Sequence, residues 1–290
     1  MKISYYPGCT LKTKARNLED AAIASLAALG IELEELPRWN CCGAVHSLTD
    51  DDLIHQVAPI RDLIRAKEQG SSKLVTLCSM CYNSLARANL LMRRDEEKRK
   101  TINLFMDEEV DYQGEVEVIH YLNFLKDEIG WDRLQEKVKV PLTGLKIAPY
   151  YGCTLQRPRE IGIEPAGSFE LMTQYFTALG AEAVEFSDAD LCCGSYQVLG
   201  NPEAAREASS IILEGAAKSG AEALALTCPL CEFNLGKRPE TLFPTFYFTQ
   251  LLALALGLSP EICRFDLNNR ASMDLMKSKG YPMEFEKAAA

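Results

Sequence analysis

Two kinds of apolar pattern alternate along this chain. Short β-branched or aromatic runs predict strands, and longer stretches with apolar positions every three to four residues predict helices. Residues 2–6, Lys-Ile-Ser-Tyr-Tyr, make a first strand that Pro7-Gly8 stops, leaving Cys9 in the loop at its carboxyl end. Residues 17–29 read as a helix with Leu18, Ala21, Ala22, Ser25, Leu26 and Leu29 on one face, ended by Gly30. Ile31, Leu33 and Leu36 alternate with acids as a second strand, and residues 37–43 form a loop. A helix is predicted over 50–69 with Asp or Thr as its N-cap, and a strand over 73–77. The next helix runs to Met92, and the charged stretch 93–100 is a solvated helix face. A strand at 115–119 and a helix to about Ile129 close the series.

The series then restarts. Lys146-Ile147-Ala148-Pro149-Tyr150-Tyr151-Gly152-Cys153 echoes Lys2-Ile3-Ser4-Tyr5-Tyr6-Pro7-Gly8-Cys9, and Thr154-Leu155 repeats Thr10-Leu11. Helix 168–179 with Gly180, strand 183–186, helix 202–219 and strand 223–227 follow in the same order. Residues 78–85 line up with 228–235, and 119–125 with 246–252. From Cys81 to Leu125 is 44 positions but from Cys231 to Leu252 only 21, so the first half carries 23 extra residues after Asn83. The expected architecture is α/β: two pseudo-symmetric cysteine-rich domains, residues 1–138 and 139–290, with mainly parallel sheets and the motif loops at the strand carboxyl ends.

Composition adds little to the fold but narrows the function. The chain has 290 residues, 47% hydrophobic and 25% charged, enough for two cores. A net charge of −10 argues against a phosphate-binding surface, and so against nucleic acid. The apolar run 242–258 is interrupted by Pro244, Thr245, Thr249 and Gln250, and is short for a span of ~20 residues. A buried strand and helix are expected there, with no membrane span. Met1-Lys2 leads straight into a strand without a cleavage site, so a cytoplasmic location is expected. There, eleven cysteines point to metal or redox chemistry before a disulfide framework.

Ten of the eleven fall into two sets of one design. Cys9, Cys41, Cys42, Cys78 and Cys81 are separated by 31 and 35 residues around the Cys-Cys-Gly unit; Cys153, Cys192, Cys193, Cys228 and Cys231 are separated by 38 and 34. Structural zinc takes four ligands, whereas each half offers five thiols, two of them adjacent. Adjacent cysteines suit two metals or a bridging sulfur, as an iron–sulfur cluster provides, with zinc in one half as the alternative.

This twice-written C-x31–38-C-C-G-x34–35-C-x-x-C pattern resembles the twin CCG domains of the heterodisulfide reductase B-subunit family, over nearly the whole stretch from Cys9 to Cys231. The resemblance implies two non-cubane [4Fe–4S] clusters, one per set of five cysteines, facing one another and cleaving a disulfide between them. It also implies partners: a C-type iron–sulfur subunit, together with an A-type flavin-containing subunit. No G-x-G-x-x-G follows a strand and no compact ferredoxin run is present, so electrons come from elsewhere. Thr154 stands where the methanogen enzymes carry a histidine. That points away from their coenzyme M–coenzyme B substrate and toward a bacterial relative in an electron-bifurcating or electron-transfer complex.

Outside the cysteines, His46, four residues after Cys42, is a candidate proton donor, or a loop histidine. His55 and His120 read as structural. Lys12, Lys14 and Arg16 follow Cys9, and Arg157 and Arg159 follow Cys153; these face the cleft or are solvated. Gly8, Gly43, Gly152 and Gly194 are expected at positive φ or close backbone approaches. Trp39 is apolar shielding or a substrate contact, Cys263 an inert buried thiol, and residues 273–290 a docking tail or a frayed end. Three oxidoreductase roles follow: a catalytic disulfide-reducing subunit, an electron relay without its own disulfide, or the CCG subunit of a lactate, glycolate or succinate/fumarate-type enzyme. The last commonly brings ferredoxin cysteines or membrane contacts, and this chain shows neither.

Overall fold

The computed structural model describes residues 1–44, 53–238 and 241–281. In the first half, β1 (Lys2–Tyr6) leads to α1 (Arg16–Ala28) and β2 (Glu32–Glu35). A 3-10 turn (Leu53–Gln56) and α2 (Val57–Glu68) follow, then β3 (Lys73–Thr76), α3 (Ser79–Arg94), α4 (Glu96–Phe105), β4 (Glu117–His120), α5 (Tyr121–Glu128) and α6 (Trp131–Lys137). In the second, β5 (Lys146–Pro149), α7 (Glu170–Ala178) and β6 (Glu182–Ala183) precede α8 (Gln197–Gly200), α9 (Pro202–Lys218), β7 (Ala223–Leu226) and α10 (Pro229–Leu235). β8 (Thr245–Tyr247), α11 (Phe248–Ala255), α12 (Pro260–Cys263) and α13 (Arg270–Ser278) complete it.

All strand pairs are parallel, in two four-stranded sheets of order β2-β1-β3-β4 and β6-β5-β7-β8. Ser4 pairs with Leu74 and Val75 with Ile119; in the second sheet Ile147 pairs with Ala223 and Leu224 with Thr245. In such sheets, strand order reverses beside the first strand, and the loops at the carboxyl edge open a crevice there. Cys9, the Cys41-Cys42 pair and Cys78 all follow strands at this edge, and their counterparts do the same in the second sheet.

Local chemistry sets the boundaries. Gly30 at φ +84° and Gly180 at φ +84° end α1 and α7, with Ile31 N–H bonding Leu26 O and Ala181 N–H bonding Phe176 O. Asp95 caps α4 through the Lys98 amide, and Asn201 caps α9 through that of Ala204, with Pro202 in the first turn. The extra residues of the first half are a longer α3 and the whole of α4, as the offset predicts.

Two expected elements are shorter. The strand at 183–186 pairs only over Glu182–Ala183, with one further bond from Val184 N–H to Ile147 O, and the chain then turns so that Ala189 O accepts from the amides of Tyr151 and Gly152. The helix at 50–69 is α only from Val57, after a 3-10 turn, and its predicted N-cap lies outside the described residues.

The two halves share their packing. Every residue of α11 is buried, and α11 lies against α1 of the other half. Thr249 Oγ1 donates across the boundary to Leu18 O, while bonds from Tyr121 OH to Ala22 O and from Tyr175 OH to Phe248 O tie these helices within their own halves. The apolar run 242–258 is therefore the expected buried strand and helix. No helix among the described residues is long and apolar enough to cross a membrane.

Candidate functional site

Each cysteine loop is pinned from below by a strand-end tyrosine. Tyr6 OH donates to Asn40 O and Tyr150 OH to Leu191 O, both at 2.7 Å, fixing in each half the residue before the cysteine pair. In the first half Asp62, fully buried on α2, accepts from the Asn40 amide at 2.9 Å and from Asn40 Nδ2 at 3.2 Å. Arg65 Nη1 donates to Asn40 Oδ1 at 2.8 Å. In the second half Asn234 Nδ2 donates to Cys193 O at 3.1 Å and Ser195 O at 2.8 Å, and Ser209 Oγ donates to Cys193 O at 3.1 Å.

These braces bring the thiols together. Sγ–Sγ separations are 3.8 Å for Cys9–Cys41, 3.6 Å for Cys42–Cys81 and 3.4 Å for Cys193–Cys231. Cys153 hydrogen-bonds Cys192, and Cys78 hydrogen-bonds Cys228 across the boundary between the halves. With the Cys41–Cys42, Cys78–Cys81 and Cys228–Cys231 interactions, thiols that act on one another's acidity run from Cys9 to Cys193. All eleven cysteines are free, and Cys263 is buried apart, as expected. Among the described residues no three His, Cys, Asp or Glu side chains are gathered tightly enough to hold one ion.

The thiols of each contact are driven apart in acidity. Hydrogen bonds from its neighbours hold Cys42 down, while Cys81 opposite is pushed up. Cys193 is lowered and Cys231 raised by the same kind of contact. The hydrogen bond from Cys153 brings Cys192 down to about 6, with the Gly194 amide and the Arg157 charge helping, and Cys153 rises. Thiolate character at such contacts is what metal ligation requires.

A cavity of about 560 Å³ borders all five cysteines of the first set. Its facing wall comes from the second half: Cys228, Pro229, Leu230, Glu232, Phe233 and Lys237. Gly8, Gly43, Gly152 and Gly194 all have positive φ, as expected. At Gly8 a Cβ would stand 2.9 Å from Cys81 Sγ, so only glycine lets this loop close over the thiols.

Other candidates are placed as follows. Lys12 pairs with Glu19 at 2.7 Å and Glu35 at 2.6 Å, so its charge is already answered. Arg157 pairs with Asp190 at 2.7 Å while acting on Cys192. His120 is fully buried, with Nε2 3.1 Å from Leu77 O and Nδ1 accepting from the Leu122 amide, a structural role as expected. Trp39 packs edge-on to Tyr6 and donates to Glu35, bracing the loop. His46 and the second half of the tail, 282–290, lie outside the described residues, while 273–278 belong to α13. Asp62, Asn234 and the two loop tyrosines are not singled out by sequence reasoning. Only the tyrosines leave a signal there, through the repeat of Tyr6 as Tyr150.

Comparison with known proteins agrees with the duplication. The family described as CCG, cysteine-rich domain, matches twice, at residues 3–86 and 147–236. The chain is 33% identical over 268 residues to the 8-methylmenaquinol:fumarate reductase membrane anchor subunit of Wolinella succinogenes, covering 89% of this chain and 93% of the relative. It is 30% identical over 275 residues to the B subunit of the ferredoxin:CoB-CoM heterodisulfide reductase of Methanosarcina mazei, covering 90% and 91%. A similar protein of Archaeoglobus profundus, described as like the heterodisulfide reductase B subunit, is 26% identical over 277 residues, covering 90% and 92%. A crystal structure of a hypothetical protein from Helicobacter pylori superposes with a TM-score of 0.73 at 14% identity, a likeness of fold alone. It covers 92% of this chain, which spans about half of that one, 51%.

Proposed function

The chain belongs to the heterodisulfide reductase B-subunit family, built of two CCG cysteine-rich domains, and on that premise we propose that it is the iron–sulfur subunit of an oxidoreductase complex that reduces a disulfide between its two halves. The observation that carries this is the gathering of five thiols around one cavity whose opposite wall belongs to the second half. Ten cysteines are the proposed ligands: Cys9, Cys41, Cys42, Cys78 and Cys81 for one non-cubane [4Fe–4S] cluster, and Cys153, Cys192, Cys193, Cys228 and Cys231 for the other. The donor set fits such a group: soft thiolates, five per half, with the space beside Cys81 kept clear by Gly8. The proposed domains are 1–138 and 139–290.

When bound, the clusters supply electrons one at a time, two for each disulfide, and these come from partner subunits carrying flavin and further iron–sulfur centres. The overall change is one S–S bond broken, two electrons and two protons taken up, and two thiols released. What the chain itself does is hold the ligand loops, through Tyr6, Asp62, Tyr150 and Asn234, and meet at Cys78 and Cys228. His46 is the proposed proton donor, with Lys12 and Arg157 as the charges beside the two ligand loops.

The likeness to a fumarate reductase anchor favours a second reading, an electron-relay CCG subunit of a quinol- or fumarate-linked enzyme. Lack of ferredoxin cysteines and of an apolar span does not separate the two readings, since the relative called a membrane anchor aligns over 93% of its length. Iron and sulfide analysis of anaerobically purified protein, with EPR after stepwise oxidation with and without small thiols, tests both. About eight irons and eight sulfides with a thiol-dependent signal support disulfide chemistry. Eight irons with a spectrum indifferent to thiols support the relay. About four irons with one zinc leaves one half structural, and zinc alone removes the redox proposal.

A further inference from the structure

Asn83 and Phe233 occupy the same position in the two repeats, two residues after the last cysteine of each set. Their environments differ. Asn83 is buried, and its Nδ2 crosses to the other half to donate to Thr154 O at 2.8 Å and Arg157 O at 2.6 Å. Beside it Tyr82 OH donates to Ile161 O at 2.8 Å, and Asn123 Nδ2 on α5 reaches Ile163 O at 2.7 Å. The loop that carries Cys153 is thereby clamped shut by the first half, with Thr154, Leu155 and Gln156 buried.

Phe233 offers no such bond. It is 48% exposed and lines the 560 Å³ cavity beside the loop of Cys9, whose thiol residue is exposed where Cys153 is half-buried. Met80, from the first C-x-x-C, and Leu230, its counterpart in the second, line the same cavity. Two copies of one motif thus differ at their interface: the Cys153 loop is held from the other half by Tyr82, Asn83 and Asn123, the Cys9 loop by Lys237 Nζ donating to Lys14 O at 3.2 Å, and beside the latter lies the apolar surface of Phe233, Leu230 and Met80.

We propose that the two sites are unequal, and that the acceptor is taken at the first-half thiol set, where Phe233, Leu230 and Met80 select a disulfide bearing an uncharged hydrocarbon arm. This deepens, and rests on, the disulfide-reducing reading. The arm lies against the three side chains and loses its hydration there, while its sulfur faces the thiol set. Electrons enter from the partner side, two per S–S bond, with two protons, and two thiols leave. Of the charged groups bordering the cavity, Lys237 and Glu232 pair with each other at 3.1 Å and Lys14 is exposed on the first-half loop, so an arm lying against Phe233, Leu230 and Met80 meets no counter-charge from these three side chains and a charged one is disfavoured there.

The test uses the full-length, cluster-loaded protein with reduced methyl viologen as donor, and compares dipropyl disulfide with cystine. Phe233→Asn, which copies Asn83 into the second repeat, is expected to raise KM for dipropyl disulfide roughly tenfold or more, with kcat within about twofold and cystine unaffected. Phe233→Leu keeps an apolar wall and is expected to keep KM within about threefold. Calorimetric titration of the oxidised protein with dipropyl disulfide reads the same loss as a rise in Kd without turnover, and iron content stays at the parent level. If Phe233→Asn does not fold, Leu230→Gln is measured in the same way. An unchanged KM and Kd for dipropyl disulfide, or an equal rise for both disulfides, overturns the inference and leaves disulfide reduction standing. Failure of the parent protein to reduce either disulfide overturns both.

Discussion

The hydroxyl groups of Ser79 and Thr227 stand 2.5 Å apart across the boundary between the halves, each one residue from a cysteine of the touching pair Cys78 and Cys228. The Ser79 amide also donates to Thr227 O at 3.2 Å, so the two C-x-x-C turns are joined through backbone and side chain at once. Both residues are buried. Ser79→Ala leaves the Thr227 hydroxyl without this partner and is expected to cost about 1–3 kcal/mol. Scanning calorimetry reads this as a Tm several degrees lower, and an unchanged Tm removes the joint from the account of the interface.

Cys41→Ser and Cys192→Ser each remove one exposed thiol from one set. Because neither side chain holds the core, both variants are expected to fold and to retain about half of the parent iron and acid-labile sulfide. Disulfide turnover is expected to vanish in both. Full activity in either variant would falsify the paired-site proposal.

Gly8 supplies a steric prediction. Its φ of +75° and the 2.9 Å approach of a Cβ to Cys81 Sγ act together, whereas Gly30, at φ +84°, has open space around it. Gly8→Ala is expected to lower iron loading; Gly30→Ala is expected to cost stability, about 1 kcal/mol, and leave loading intact. Equal loading in the two variants is the outcome that would sink this argument.

Asp62 gives stability a pH dependence. Burial pushes its carboxyl up to about 7, against the amide of Asn40 and the charges of Arg65 and Arg61, which pull it down. A folded-state value above the unfolded one of about 3.9 means that the native state holds this proton over a range where the unfolded chain has lost it. The stability from this group is present in full below about 4 and is lost as pH rises through about 7. Asp62→Asn keeps an acceptor for the Asn40 amide and removes the titration. Urea melts at several pH values are expected to show a shallower dependence between about 4 and 7 in the variant than in the parent. Parallel curves would place the proton elsewhere.

Much of this molecule is legible in its sequence because duplication writes each signal twice. The Pro-Gly and Tyr-Gly stops before Cys9 and Cys153, the helix-ending glycines and the 23-residue offset are local features, and local features survive without tertiary knowledge. The sulfur chain running between the halves is not local. It depends on Asp62, 21 positions after Cys41 on a helix whose other inward residues are mostly apolar, and on Asn234 reaching back to Cys193. A buried polar residue on such a helix carries no pattern to distinguish it from a solvated one. The short β6 shows the converse: repetition of the first half predicts a strand at 183–186, but the pairing ends at Ala183 with a last bond from Val184 N–H to Ile147 O.

The packing of α11 on α1 has an evolutionary consequence. In each repeat one helix follows the first strand and one follows the last, and the first-strand helix of the first repeat, α1, covers the last-strand helix of the second, α11. Cut between residues 138 and 139, the chain would give two fragments, each with a bared apolar flank. The repeats have become obligate partners. Any insertion, such as α4, is free to accumulate only on the outer surface that their union leaves uncommitted.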